Sequence, residues 1–442
     1  MKHRSNYGVL LTRKYPKIMR FILPCLLMVV VNVPQAALAQ SDCDGTRYRF
    51  ASAFESFDVT SDVVYGNSIN STGFGQDLLV DIYEPEGDFN ENRPLIIMAH
   101  GGFFIGGEND NPDVLALCQD LTRMGYVVAS ITYRLGIDNF FDIPNALVRS
   151  VWRGVHDGKA AVRYFRKTAA EDENPWGIDP DRIMIGGVSA GAFLGLHSVY
   201  VDEESEIPEQ VDQNAPGMGG GLEGESGNPG YSSEVIGVIN VAGALKTADY
   251  ISEGDEPMVS IHGTSDQTVP FGSDVISLSG LPITEVDGSS IIHEAAESLG
   301  VSSCFTILEG ADHVAHVGDA DAYYETLGTI ASVTSSWVCS GYEPLCGPYD
   351  YNAVEVQEWL RKLDGDVRVF PTVTDGSVPL QVQWLNGNNA GQSWSIFDAS
   401  GKQVSTGMWS IGQNEIPVSG LASGMHILRF HATSATAKFW VR

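Results

Sequence analysis

From residue 78 onward the chain alternates short apolar runs with longer amphipathic stretches, and this alternation restricts the fold more than any other feature. LLVDIYEP, PLIIMAH, YVVASITYR, RIMIGGV, EVIGVINVAGAL, PMVSIHG and CFTILEG are rich in branched residues and read as strands. Between them VLALCQDLTRMG, ALVRSVWRGVHDGKAAVRYFRKTAA, AGAFLGLHSVYV, IHEAAESLG and YYETLGTIASVTSSWV read as helices. Continuous apolar strands separated by helices predict an α/β fold, with a mainly parallel sheet covered on both faces. Chemistry on such a sheet belongs at the carboxyl ends of its strands.

Two regions break the pattern. Residues 202–232, DEESEIPEQVDQNAPGMGGGLEGESGNPGYS, are too acidic and glycine-rich for a core element, and are either a solvated loop or a flap over a site. After about residue 365 the chain turns to short alternating strands with closely spaced turn residues, the pattern of a small antiparallel β-sandwich spanning 366–442. Residues 340–365, with CSGYEPLCGPYD and the helical stretch EVQEWLRKL, form the joint.

The first 39 residues place basic side chains before FILPCLLMVVV and end on Ala37-Leu38-Ala39, the layout of a secretory signal peptide. A membrane anchor is the rival reading, but Asn32 and Pro34 interrupt the run. Cleavage near Gln40 would leave residues 40–339 as the main domain of a secreted protein without stable membrane insertion. Six basic residues and no acid leave with the leader, so 20 basic side chains face 56 acidic ones, a formal charge of −36. Such a surface repels nucleic acid and stays soluble in salt. Five cysteines follow the leader, so at least one thiol stays free. Cys339 with Cys346 and Cys43 with Cys118 are conceivable pairs, though connectivity does not follow from spacing. No CxxC or HxxxH cluster argues for a metal.

RIMIGGVSAG stops an apolar strand at Ser189, with Gly187 and Gly191 on either side and a helix after it. This is the strand-to-helix setting of a nucleophile elbow. A serine hydroxyl needs a base, an orienting acid and oxyanion donors. Ala190 supplies one backbone N–H; the loop His100-Gly101-Gly102-Phe103-Phe104-Ile105-Gly106-Gly107, after PLIIMA, supplies others. This loop resembles the HGGGF loop of the carboxylesterase and hormone-sensitive-lipase branches of the α/β-hydrolase family, and that resemblance implies Gly102 and Phe103 as donors with Gly101 as the fallback, Phe103 keeping a negative φ. PMVSIHGTSDQTVP places Asp266 after a later strand, with Asp274 and Asp255 as substitutes. CFTILEGADHVAHV places His313 after the last strand, with His316 as a substitute, while His262 and His293 read as structural.

These motifs, in this order, resemble the carboxylesterase and hormone-sensitive-lipase branches of the α/β-hydrolase family, whose loop reads HGGGF or HGGAF. The resemblance covers about residues 60–339. It implies an eight-stranded sheet, a Ser189–His313–Asp266 triad, no cofactor, and hydrolysis of short acyl, aryl or polymer-linked esters. Phe103 departs from the family's third glycine, which places a ring in the acyl pocket. A prolyl-oligopeptidase-like peptidase is a rival, but that group carries a propeller for which the segment between Gln40 and Pro94 is too short. A non-catalytic binding protein on the same fold is another, but those lack the serine. The tail resembles the type IX secretion sorting domain of Bacteroidetes through VFPTVTDG, FDASGKQV, LASGMHILRF and a last strand carrying Lys438 and Arg442. That implies the type IX machinery as a partner. A carbohydrate-binding module would instead display Trp384, Trp394 and Trp409 on one face.

Overall fold

The computed structural model describes Cys43, 45–51, 53–347 and, beyond them, 367–370, 373–374, 376–384, 392–398, 402–410, 415–430 and 436–442. The expected signal peptide and the stretch EVQEWLRKL lie outside the described residues.

Among the described residues the first strands are an antiparallel pair, β1 (Phe57–Ile69) and β2 (Gly75–Pro85). It then alternates as expected: β3 (Arg93–Ala99), α1 (Pro112–Arg123), β4 (Val127–Ile131), α2 (Ile143–Glu171), β5 (Ile178–Val188), α3 (Ala190–Tyr200), β6 (Val238–Val241). A two-residue β7 (Ala244–Leu245), β8 (Met258–Gly263), a hairpin of β9 (Ser273–Leu278) and β10 (Leu281–Gly288), α4 (Ser289–Leu299), β11 (Ser303–Leu308) and α5 (Ala320–Val338) complete this part. Eight strands form one sheet in the order β1-β2-β4-β3-β5-β6-β8-β11, parallel from β4 to β11. This is the α/β-hydrolase fold, a mainly parallel sheet with helices on both faces.

Side-chain alternation divides β3 between two cores. Ile96 and Met98 join Leu117 of α1 and Leu327 of α5 on one face, and Leu95 and Ile97 join Phe165 of α2 and Leu194 of α3 on the other. Winding reverses at β3, which has β4 on one side and β5 on the other. The loops that leave β3 and β5 therefore meet at a switch point, where an open α/β sheet leaves a crevice. Two glycines permit the contact there. A Cβ on Gly187 would stand 2.2 Å from the Ala99 carbonyl oxygen, and one on Gly191 only 1.9 Å from it.

The segment 202–232 is not a free loop. Arg134, after β4, is fully buried and paired at 2.8 Å with the equally buried Asp157 of α2. The guanidinium also donates to Ser68 Oγ (3.0 Å), the Gly217 carbonyl (2.8 Å) and Ser226 Oγ (2.9 Å), while Ser226 donates to Asp157 (2.6 Å). One ion pair thus ties β1, α2 and residues 217–226 together.

The disulfides correct the expected pairings. Cys43 bonds Cys339 and Cys304 bonds Cys346, while Cys118 is a free buried thiol that burial pushes up to about 12. Cys118 lies on the core face of α1.

The tail forms β12 (Val367–Phe370), β13 (Val373–Thr374), β14 (Leu380–Trp384), β15 (Ser393–Asp398), β16 (Gln403–Met408), β17 (Glu415–Ile416), β18 (Gly424–Phe430) and β19 (Thr436–Val441). They make a three-stranded sheet and a five-stranded one, antiparallel except where β13 meets β19. Trp394 and Trp409 are buried between them, and Trp384 packs edge-on against Phe430 at 4.7 Å. Tryptophans used as core in this way do not form the exposed aromatic face of a carbohydrate-binding module.

Asp157→Ala should lower the unfolding free energy by about 3–5 kcal/mol, because it leaves the Arg134 charge buried and unpaired. Ser226→Ala should cost only about 1 kcal/mol. Urea denaturation measures both, and equal losses would show that the charge is not the principal tie.

Candidate active site

Ser189 follows β5 as the N-cap of α3 with φ 53° and ψ −116°, a conformation no glycine relieves. A non-glycine residue held at positive φ costs about 1–2 kcal/mol, and such strain persists only where surrounding contacts impose it. Here the Ser189 N–H donates to Val241 O (2.8 Å) and its carbonyl accepts from Phe193 N (3.0 Å), which pins both sides of the turn.

The structure brings Ser189, His313 and Asp266 into one line. Ser189 Oγ lies 2.9 Å from His313 Nε2, and His313 Nδ1 lies 2.7 Å from Asp266 Oδ2. The alternatives are used elsewhere. His316 is buried with Nε2 on the Asp113 carbonyl, Asp274 accepts from the next residue's N–H, and Asp255 accepts from Ser252 N. His293, in α4, bonds Ser303.

Asp266 carries more than its histidine. Oδ1 accepts from the N–H groups of Thr268 (2.8 Å) and Val269 (2.9 Å), and Oδ2 also lies 3.2 Å from His262 Nε2. Burial opposes ionisation, but the bonds from His262, His313 and Val269 outweigh it and hold the carboxyl well below the usual range. His262 Nε2 faces a second acceptor, Val269 O, so it carries a proton; Nδ1 meets Ser289 Oγ at 2.7 Å. His262 is therefore a second donor to the acid. Its position four residues before Asp266 was the only signal for this in the sequence.

The loop after β3 packs on the serine; a Cβ on Gly101 would lie 3.3 Å from Ser189 Cβ. Gly101 is not a spare donor, however. Its N–H is taken by Asp113 Oδ2 at 2.7 Å, which corrects the fallback assignment. The N–H groups of Gly102 and Phe103 reach no acceptor among the described residues. Ala190 opens α3, where the first N–H groups have no partner within the helix. The expectation for the Phe103 backbone is also corrected: φ is +57°, and Phe104 follows at +58°. The reason is a tight turn in which Ile105 N and Gly106 N both donate to Gly102 O, at 3.0 and 3.1 Å.

A cavity of about 70 Å³ opens beside Ser189. Phe103, Phe104, Leu147, Val151, Phe193 and Ile276 are among its walls, so it is almost wholly apolar. The hairpin β9–β10 supplies one side through Ile276, Ile283 and Val286, which sequence reading missed because the hairpin's other side chains are largely exposed. None of residues 138–144 lines it, and Phe140 and Phe141 are exposed.

Comparison with known proteins points to esterases. The family model described as BD-FAE matches residues 80–219. Acylcarnitine hydrolase of Rattus norvegicus is 35% identical over 117 residues, 26% of this chain and 19% of that one. Carboxylesterase 1D of Mus musculus is 35% identical over 123 residues, 27% and 20% of the two chains. The chain spans about a fifth of the length of these curated relatives. The apo form of Thermogutta terrifontis esterase 2 aligns with 67% of this chain and 98% of its own, at 23% identity and a TM-score of 0.47.

Three buried histidines set an acid limit. Burial pushes His156, His197 and His316 down to about 4, so all three are neutral in the fold at neutral pH. Unfolded, each titrates near about 6.5. Between these values the unfolded chain binds more protons, so stability falls as pH drops from about 6.5 to about 4, by up to about 1.4 kcal/mol per pH unit for each histidine. Asp266, its carboxyl depressed, adds a loss only below about 4. Denaturant midpoints measured between pH 4 and 7 should slope accordingly; a flat profile would mean these rings meet water.

Proposed function

We propose that this chain is a carboxylic ester hydrolase that works through an acyl-enzyme on Ser189. The unbroken line from Ser189 Oγ through His313 to Asp266, at 2.9 and 2.7 Å, carries the reading. His313 Nε2 takes the Ser189 proton as Oγ attacks the ester carbonyl. Asp266 stays ionised, fixes the proton on His313 Nδ1 and stabilises the imidazolium that forms. Negative charge on the carbonyl oxygen is met by the N–H groups of Gly102, Phe103 and Ala190, each such donor being worth about 3–4 kcal/mol in the transition state. Collapse breaks the ester C–O bond, and His313 returns its proton to the leaving alcohol. Water then attacks the acyl-enzyme by the same route, with His313 again as base, and frees the acid and Ser189. No cofactor enters this chemistry.

The small apolar cavity favours short acyl groups, and the ring of Phe103 in its wall makes that residue a selector of acyl shape. Aryl and polymer-linked esters are compatible, since it is the acyl side that the cavity encloses. We also propose that the protein is secreted, with residues 1–39 as its export signal and the C-terminal sandwich as a type IX sorting domain. The two disulfides support an oxidising destination.

Ser189→Ala should cut turnover of p-nitrophenyl acetate by about a thousandfold or more while leaving the circular dichroism spectrum unchanged. A folded variant that keeps over a tenth of the activity would refute the nucleophile. Feruloyl esters, acetylxylan and polyester films assayed beside it identify the natural class. Removal of residues after Asp364 should leave ester hydrolysis intact in a heterologous host and trap the enzyme in the periplasm of its native one; normal export of the truncated chain would refute the sorting role.

A further inference from the structure

A second cavity, of about 390 Å³, adjoins the one beside Ser189. The two share Val148, Val151, Phe193, Thr284 and Val286 as walls. We infer that the second cavity is a distal acyl subsite that receives medium-chain acyl groups too long for the first, with Phe193 as the sill between them. This rests on Ser189 being the nucleophile.

The geometry of the shared walls carries the inference. Val148 and Val151 lie three residues apart on one face of α2, and Thr284 and Val286 lie two apart on one face of β10. Both cavities therefore lie between the same helix and the same strand. Phe193 stands one turn beyond Ser189 on α3, and His197 stands a turn beyond that, its ring stacked parallel to Phe193 with centroids 6.0 Å apart. An acyl chain leaving Ser189 along α3 meets Phe193 first and the second cavity next.

The inner end of the second cavity is mostly apolar, although the buried Trp152 indole N–H has no partner among the described residues. His197 lines it but offers no free polar atom: Nδ1 donates to the Phe193 carbonyl at 2.8 Å and Nε2 accepts from Lys246 N at 3.2 Å. Trp152 and Val201 are buried beside it. The outer wall comes from the acidic segment, through residues 205–210, where Ile207 and Pro208 are half-buried and Glu209 is exposed. Segment 202–232 thus forms part of a binding wall and is clamped at its far end by Arg134, which keeps that wall in place. Each methylene that enters apolar space favours binding by roughly fourfold, so a few carbons beyond the sill suffice for a large preference.

The test uses the full chain with p-nitrophenyl acetate, butyrate and octanoate. Ile207→Trp, which fills the outer wall, should lower kcat/KM for octanoate at least tenfold and leave acetate within twofold. Ser205→Trp, at an exposed position of the same wall, serves if that variant does not fold. Phe193→Ala should raise the octanoate-to-butyrate ratio several-fold. Calorimetry reads the cavity without chemistry: octanoate should bind the Ser189→Ala protein and bind at least tenfold more weakly once Ile207→Trp is added. Unchanged ratios together with octanoate binding that ignores Ile207→Trp would overturn the subsite. Failure of Ser189→Ala to abolish hydrolysis would overturn the nucleophile and with it the acyl reading, and calorimetry, which needs no turnover, separates that failure from an empty cavity.

Discussion

The contact between α3 and the end of β3 governs the rest of the molecule. Gly187 and Gly191 bring the turn at Ser189 so close to the Ala99 carbonyl that no β-carbon fits at either place. That approach forces the left-handed backbone at Ser189 and sets the loop of residues 100–107 beside its side chain. It also aims the first turn of α3, with its unpaired N–H groups, at the same point. The placement of Ser189 and of the N–H groups beside it is thus a consequence of one close crossing of helix over sheet.

Behind that crossing the Asp266 carboxylate is saturated, in contrast to the spare N–H groups of Gly102 and Phe103. Asp266 accepts four hydrogen bonds, two from backbone and two from histidines. An anion so fully ligated cannot turn away from His313, and it is a poor base toward it. His262, Ser289 and Asn240 continue the network inward, with Asn240 Nδ2 donating to Ser260 and Ser289 at 3.0 Å each. Orientation of the His313 ring is therefore imposed from the core.

Much of this was legible in the sequence because its signals are local. Continuous apolar runs between amphipathic stretches marked the parallel strands and their helices, and Ser189, Asp266 and His313 each sit in a short motif after a strand. What escaped depends on distant partners. β1 and the β9–β10 hairpin expose most of their side chains, so they lack the apolar continuity by which the inner strands were recognised. The disulfides join residues 296 and 42 positions apart, which no spacing rule reveals. The positive φ at Phe103 and Phe104 opposes the preference of both residues and is imposed by the turn that closes on Gly102. The loss of Gly101 as a donor required knowing that the start of α1 places Asp113 against it.

The two disulfides also decide how the chain bears tension. Along the covalent chain, a pull on the C-terminal tail meets Cys346 before the other disulfide cysteines, and that link carries it to Cys304 in β11. His313 and α5 lie inside the closed ring between those cysteines, off the line of force, and Cys339 is tethered separately to Cys43. The load passes into the parallel pairing of β11 with β8 as shear, spread over the ladder from Ser303 with Met258 to Leu308 with Gly263. The covalent path from the tail therefore bypasses the loop that carries His313.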